Sequence, residues 1–148
     1  MTTAEIRAAH AKFLADQIKP TTALTLVYND TGISRARIVR DLRDLHADID
    51  RRLYGRRYYK RPPSMRSQFW AVIEMQKDYP HVHVGWQLPK DGDAVLIHAL
   101  KTERIWLRFA PRGHYDIRDY QPGWEAYSTK HLTDSNEIVM SSELSADT

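Results

Sequence analysis

Cysteine is absent from all 148 residues. That excludes disulfide staples, a thiolate nucleophile and a zinc site built on cysteine. No apolar run approaches the roughly 18 residues that a membrane helix requires. No hydrophobic stretch follows a basic N-terminus in the manner of a secretory signal. There is no internal repeat, no low-complexity tract and no sign of a second domain. What remains is one domain of ordinary globular composition, 42% hydrophobic and 28% charged, long enough to bury a sizeable core. The expectation is a cytoplasmic protein, of a bacterium or of a cell hosting a virus.

Acidic residues are missing from one stretch in particular. "RRLYGRRYYKRPPSMR" (51–66) holds seven basic residues and no acidic one. The formal net charge is only +3, and outside this stretch 15 basic residues face 19 acidic ones. The basicity is therefore local, which points to a polyanionic partner. Basic side chains neutralise phosphates, and interleaved aromatic faces stack on bases. Arg56, Arg57, Tyr58, Tyr59, Lys60 and Arg61 are the candidate DNA contacts, with a solvated connector as the alternative. Arg35, Arg37 and Arg43, on the polar side of a helix, are weaker candidates.

The periodicities give a coarse order of elements. Residues 3–18 have helical composition and Pro20 stops them. "TALTLVY" (22–28) reads as a buried strand closed by "NDTG". Ile38, Leu42, Leu45, Ile49 and Leu53 form one helical face behind a Ser34 cap. "SQFWAVIEMQ" (67–76) and "HVHVGWQL" (81–88) alternate as two strands of a hairpin around "KDYP". Residues 91–104 read as a short helix, and 104–109 and 114–120 as strands or ordered loop. Pro122 opens a helix to about Leu132, and 137–144 reads as a final strand. The pattern predicts an α+β sandwich, a mostly antiparallel sheet flanked by helices.

Two histidines sit two apart in "HVHV". Successive strand side chains alternate faces, so His81 and His83 share one face while Val82 and Val84 pack on the other. A tight turn around Asp78-Tyr79 puts Glu74 on the histidine face, opposite His81 or His83. Glu74 interrupts the apolar "FWAVIEM", and a partly buried carboxylate needs a cation or several hydrogen bonds. Two imidazoles and a carboxylate can hold Mg²⁺, Mn²⁺ or Zn²⁺ with open positions for a phosphate oxygen. Two hydrogen-bonded histidines on a half-exposed sheet are the alternative. In "PGWEAYSTKHL" (122–132), Tyr127 and Lys130 lie three apart, neighbours on one helical face, and Trp124, Tyr127 and His131 share a stripe. A phenol is a poor nucleophile until its proton is withdrawn, and a nearby cation favours the anionic form. An amphipathic helix with aromatics packed on the sheet is again the alternative.

In order, "ALTLVYND", Glu74 with "HVHVGWQL", and "YSTK" on a late helix resemble the three motifs of the HUH (His-hydrophobic-His) endonucleases. The order is that of the rolling-circle replication initiators, the Rep proteins of phages, plasmids and small viruses. The likeness covers about residues 21–144. It implies a central antiparallel sheet with flanking helices, an RRM-like fold, in agreement with the pattern above. It further implies that His81, His83 and Glu74 bind Mg²⁺ or Mn²⁺, that Tyr127 is the nucleophile, and that Lys130 positions or charge-stabilises the site. The implied substrate is single-stranded or hairpin DNA at an origin, nicked through a 5′-phosphotyrosine. A tyrosine placed after the histidines departs from the conjugative relaxases. A lysine where the single-domain transposases carry glutamine favours Rep. Tyr120 is too far from Tyr127 for the paired-tyrosine pattern. These 148 residues hold no helicase domain of the kind many Rep proteins carry, so host helicase and polymerase are the expected helpers. A transposase and a non-catalytic DNA-binding module are the alternatives. A cupin-like metalloenzyme would need a carboxylate where Gly85, Trp86, Gln87 and Leu88 stand.

Overall fold

The computed structural model describes residues 2–75, 79–132 and 137–145. Five strands, β1 (Thr22–Val27), β2 (Gln68–Glu74), β3 (His81–Gln87), β4 (His114–Asp119) and β5 (Ile138–Met140), form one sheet in the order β4-β1-β3-β2-β5. Every neighbouring pair is antiparallel. The helices are α1 (Thr3–Gln17), α2 (Arg35–Tyr54), α3 (Gly92–Lys101), α4 (Trp106–Phe109), α5 (Trp124–Ser128) and α6 (Ser141–Ser145). The fold is α+β, an antiparallel sheet flanked by helices, as the sequence pattern predicts.

Alternation sorts the sheet into two faces. Leu24, Leu26, Ala71, Ile73, Val82 and Val84 form the floor of the main core. Against them lies α2, whose Ile38, Leu42, Leu45 and Ile49 are all buried. The four-three-four spacing of those residues is what makes α2 a helix with one apolar stripe. Ser34 caps it by accepting the Arg37 backbone N–H at 3.1 Å, and Gly55, with φ of +88°, ends it. Leu96, Ala99 and Leu100 of α3 and Trp106 of α4 complete this side. The opposite face holds a smaller cluster in which Leu14, Ile18 and Leu132 cover Trp70, Val72 and Ile138. Gly85 lies beneath the Trp70 ring, and a Cβ there would collide with it.

Three segments differ from the alternation reading. Residues 104–109 form a turn and the short α4, because neighbours Ile105 and Trp106 are both fully buried, which a half-exposed strand forbids. The helix after Pro122 spans only Trp124–Ser128. Gly123, with φ of +99°, delays its start, and the Thr129 hydroxyl turns back to the Glu125 carbonyl at 2.8 Å. The last strand stops at Met140 because the Ser141 hydroxyl accepts the Phe69 backbone N–H at 2.9 Å. The chain then turns into α6, which sends Leu144 into the core. Among the described residues no helix is long and apolar enough to cross a membrane.

Candidate active site on the open face of the sheet

On the face opposite α2 the register draws three rows across the strands. The first is His114, Val27, His81, Glu74; the second is Asp116, Thr25, His83, Val72; the third is Arg118, Ala23, Gly85, Trp70. The parity argument therefore holds, and Glu74 lies directly opposite His81. The turn residues 76–78 on which it leaned lie outside the described residues. Glu74 reaches diagonally, and its Oε2 lies 3.0 Å from His83 Nε2. Both are buried, at 7% and 5% exposure. His81 is half-buried at the end of the row.

His83 has a second neighbour that the sequence did not mark. Thr25 Oγ1 lies 3.5 Å from its Nδ1. A hydroxyl both donates and accepts, so Thr25 serves either imidazole tautomer. With Nε2–H donated to Glu74, Nδ1 accepts from Thr25. With Nε2 stripped of its proton and bound to a cation, Nδ1–H is donated to Thr25 instead, the usual way a metal-binding histidine is oriented.

The aromatic residues of α5 close over this pair. The Trp124 indole donates to the Val84 carbonyl at 2.9 Å, which pins α5 to β3. Tyr127 stacks on Trp124, with rings 13° from parallel and centroids 5.4 Å apart. Both rings stand edge-on to His83, each at 5.7 Å. Lys130 Nζ sits 3.9 Å from the centroid of the Tyr127 ring. The Tyr127 side is not sealed. The residue is 51% exposed, and its hydroxyl has no hydrogen-bond partner among the described residues. Tyr120, by contrast, gives its hydroxyl to both oxygens of the buried Glu125, at 2.9 and 2.7 Å. Burial and that carboxylate push its phenol up to about 12, which holds it as a protonated structural donor.

As a donor set, His81, His83 and Glu74 suit a divalent ion in kind: borderline nitrogen and hard oxygen ligands on one face. The 3.0 Å between His83 and Glu74 is a hydrogen-bond length. It is also about the edge of an octahedron with ~2.1 Å metal–ligand bonds. Among the described residues no three His, Asp or Glu side chains are drawn to a single point. A bound ion would therefore need His81 to move toward the His83–Glu74 pair.

The basic segment is not brought to this cluster. It runs from the last turn of α2 to the start of β2 at Gln68, six residues and about 20 Å along the strand from Glu74. Arg56, Arg57, Tyr59 and Lys60 are exposed. Tyr58 is the correction: it is 8% exposed, with Arg51 and Arg66 packed over its ring at 5.7 and 5.1 Å, so its face is not open to a base. Arg61 is partly committed too, lying 4.3 Å over the Tyr54 ring and donating to the Met65 carbonyl. Arg37 donates to the Phe109 carbonyl at 2.8 Å.

No family model, no curated protein and no solved structure matches the chain.

Proposed function

We propose that the protein is a metal-dependent single-stranded-DNA endonuclease and strand-transferase that nicks an origin with Tyr127 and so initiates rolling-circle replication. The observation that carries this reading is the meeting of an exposed phenol with an imidazole–carboxylate pair. The Tyr127 ring lies 5.7 Å from that of His83, which itself lies 3.0 Å from Glu74.

In the proposed reaction the phenolic oxygen of Tyr127 gives up its proton and attacks phosphorus. The P–O3′ bond breaks, and the departing oxygen takes a proton. The products are a free 3′-hydroxyl and a 5′-phosphotyrosine. Attack by a 3′-hydroxyl reverses the step and rejoins DNA without ATP, because the ester keeps the bond energy. Lys130, 3.9 Å from the ring centroid, offsets negative charge as it builds on the phenol and the phosphate. His83, Glu74 and His81 would hold Mg²⁺ or Mn²⁺, an ion that supplies positive charge against the scissile phosphate. Thr25 fixes the His83 ring. Arg56, Arg57, Tyr59 and Lys60 grip DNA away from the reacting atoms, and host helicase and polymerase in the cytoplasm would act on the exposed 3′ end.

A second reading is a DNA-binding module of the same fold without nuclease chemistry. It is favoured by one observation: His83 and Glu74 already satisfy each other as a buried hydrogen bond.

The test uses a 3′-end-labelled pool of random single-stranded DNA with Mn²⁺, run on a denaturing gel. The first reading expects label on the protein, and none with Tyr127→Phe although that variant still binds DNA. An adduct that persists in Tyr127→Phe reassigns the nucleophile. DNA binding with no adduct in either protein selects the second reading.

A further inference from the structure

The helices cover the histidine-bearing face unevenly. α1, Leu132 and Trp124 lie over β2, β3 and β5, whereas among the described residues only the edge of α5 borders the β1–β4 half. There the sheet and α5 enclose an open cavity of about 400 Å³, within the range of small-ligand pockets, about 300–1,000 Å³. Thr25, Asp116 and Arg118 form part of its floor, Asp119 part of its rim, and Trp124 and Tyr127 its aromatic wall.

The charges decide which part of a nucleotide enters. Arg118 Nε lies 2.7 Å from Asp116 Oδ2, so that cation is spent on its neighbour. Asp119 remains exposed at the rim, leaving the lining acidic. A phosphate is repelled from such a lining. A base is not: its flat face matches the aromatic wall, and carboxylate oxygens accept hydrogen bonds from exocyclic amines. Adenine, cytosine and guanine carry such an amine, whereas thymine's single ring N–H donor is flanked by two carbonyl oxygens whose lone pairs a carboxylate repels.

We infer that this cavity is a base-reading pocket beside the reactive tyrosine, one that takes a single unpaired amino-bearing nucleobase and disfavours thymine. The inference rests on the single-stranded-DNA reading above and adds a sequence preference to it. Because Tyr127 is part of the wall, the base held there belongs to a nucleotide close to the scissile linkage. The basic segment, at the other end of β2, contributes affinity without choosing the base.

The experiment measures fluorescence anisotropy of the full-length protein with an all-thymine 15-mer and with three otherwise identical 15-mers carrying one central adenine, cytosine or guanine. The amine-bearing oligonucleotides are expected to bind about five-fold or more tightly than all-thymine. Asp116 and Asp119 are exposed on an edge strand, so Asp116→Asn/Asp119→Asn keeps the fold, as circular dichroism would verify. Its amide N–H groups can meet the thymine carbonyl, and the preference is expected to vanish. Equal affinity for all four oligonucleotides overturns the inference, and so does a preference that survives in the double variant. A covalent adduct formed without base preference would sink the pocket and keep the tyrosine chemistry. A base preference without any adduct would do the reverse.

Discussion

A buried histidine–carboxylate pair lies on each side of the sheet, one on α2 and one on the strands themselves. On the α2 side His46 Nε2 lies 3.2 Å from Asp50 Oδ2; on the other, His83 Nε2 lies 3.0 Å from Glu74 Oε2. All four side chains are buried. The surroundings differ. Asp50 also receives Arg66 Nε at 2.8 Å and the Ser67 hydroxyl, and that hydroxyl in turn accepts the Trp86 indole N–H at 3.0 Å. His46 must carry its proton on Nε2, because that nitrogen also lies 2.9 Å from the Ser67 carbonyl, which can only accept. Phe69 and Trp86 pack against its ring. This first pair is a closed knot joining α2, the exit of the basic segment and β2. The second pair adjoins an exposed phenol, and its neighbours Thr25, Trp124 and Tyr127 line an open cavity. On the reading proposed above, what stands beside a histidine–carboxylate pair decides whether it does chemistry, and the side chains around His83 are the ones that border open space.

Breaking each pair should therefore do opposite things. The largest effect is expected from Glu74→Gln, which should slow adduct formation about 100-fold while changing unfolding free energy by only about 1 kcal/mol. Rapid quench kinetics and urea melts on one protein preparation test both halves, and full activity would remove Glu74 from the site. Asp50→Ala strands the buried Arg66 and should cost about 3–5 kcal/mol of stability in the same melts; a loss under about 1 kcal/mol would mean that the knot is not structural. The pH response is smaller. Burial holds the His46 imidazole below its usual value, outweighing Asp50 and the Ser67 carbonyl. The unfolded chain protonates His46 near the ordinary value of about 6.5. Stability is then full above that pH and falls as pH drops toward the folded value. The urea midpoint should decline from pH 7.5 to 5.5, and His46→Gln should flatten the decline; an equal decline in both proteins assigns it to other groups. Smallest, Arg56→Ala/Arg57→Ala should lower the salt slope of DNA binding by about two, and an unchanged slope moves the grip elsewhere.

Much of this contrast was legible in the residues. The α2 stripe and the Ser34 cap follow from spacing, and strand parity alone put Glu74 on the face of His81 and His83. The diagonal reach of Glu74 to His83 was not legible, because parity names a face and not a rotamer. Thr25 was hidden for a similar reason: pairing of β1 with β3 is a long-range event, and a threonine in a β-branched strand looks like any other. The charge run of the basic segment is plain in the sequence, but which of its tyrosines face solvent depends on Arg51 and Arg66, one before and one after them in the chain. The His46–Asp50 spacing of four was present in the sequence, and its role appears only once Ser67 and Arg66 fold back onto it.

The indole bond from Trp124 to the Val84 carbonyl has a consequence for where a cut would fall. It suspends α5 from the very strand that carries the imidazoles, so one ruler sets the gap between phenol and His83. Connector length then matters little to aim. Loosening the tether with Trp124→Phe would keep the ring stack yet let the short helix slip, and scission would smear over adjacent linkages, a blur that sequencing of the severed ends would reveal.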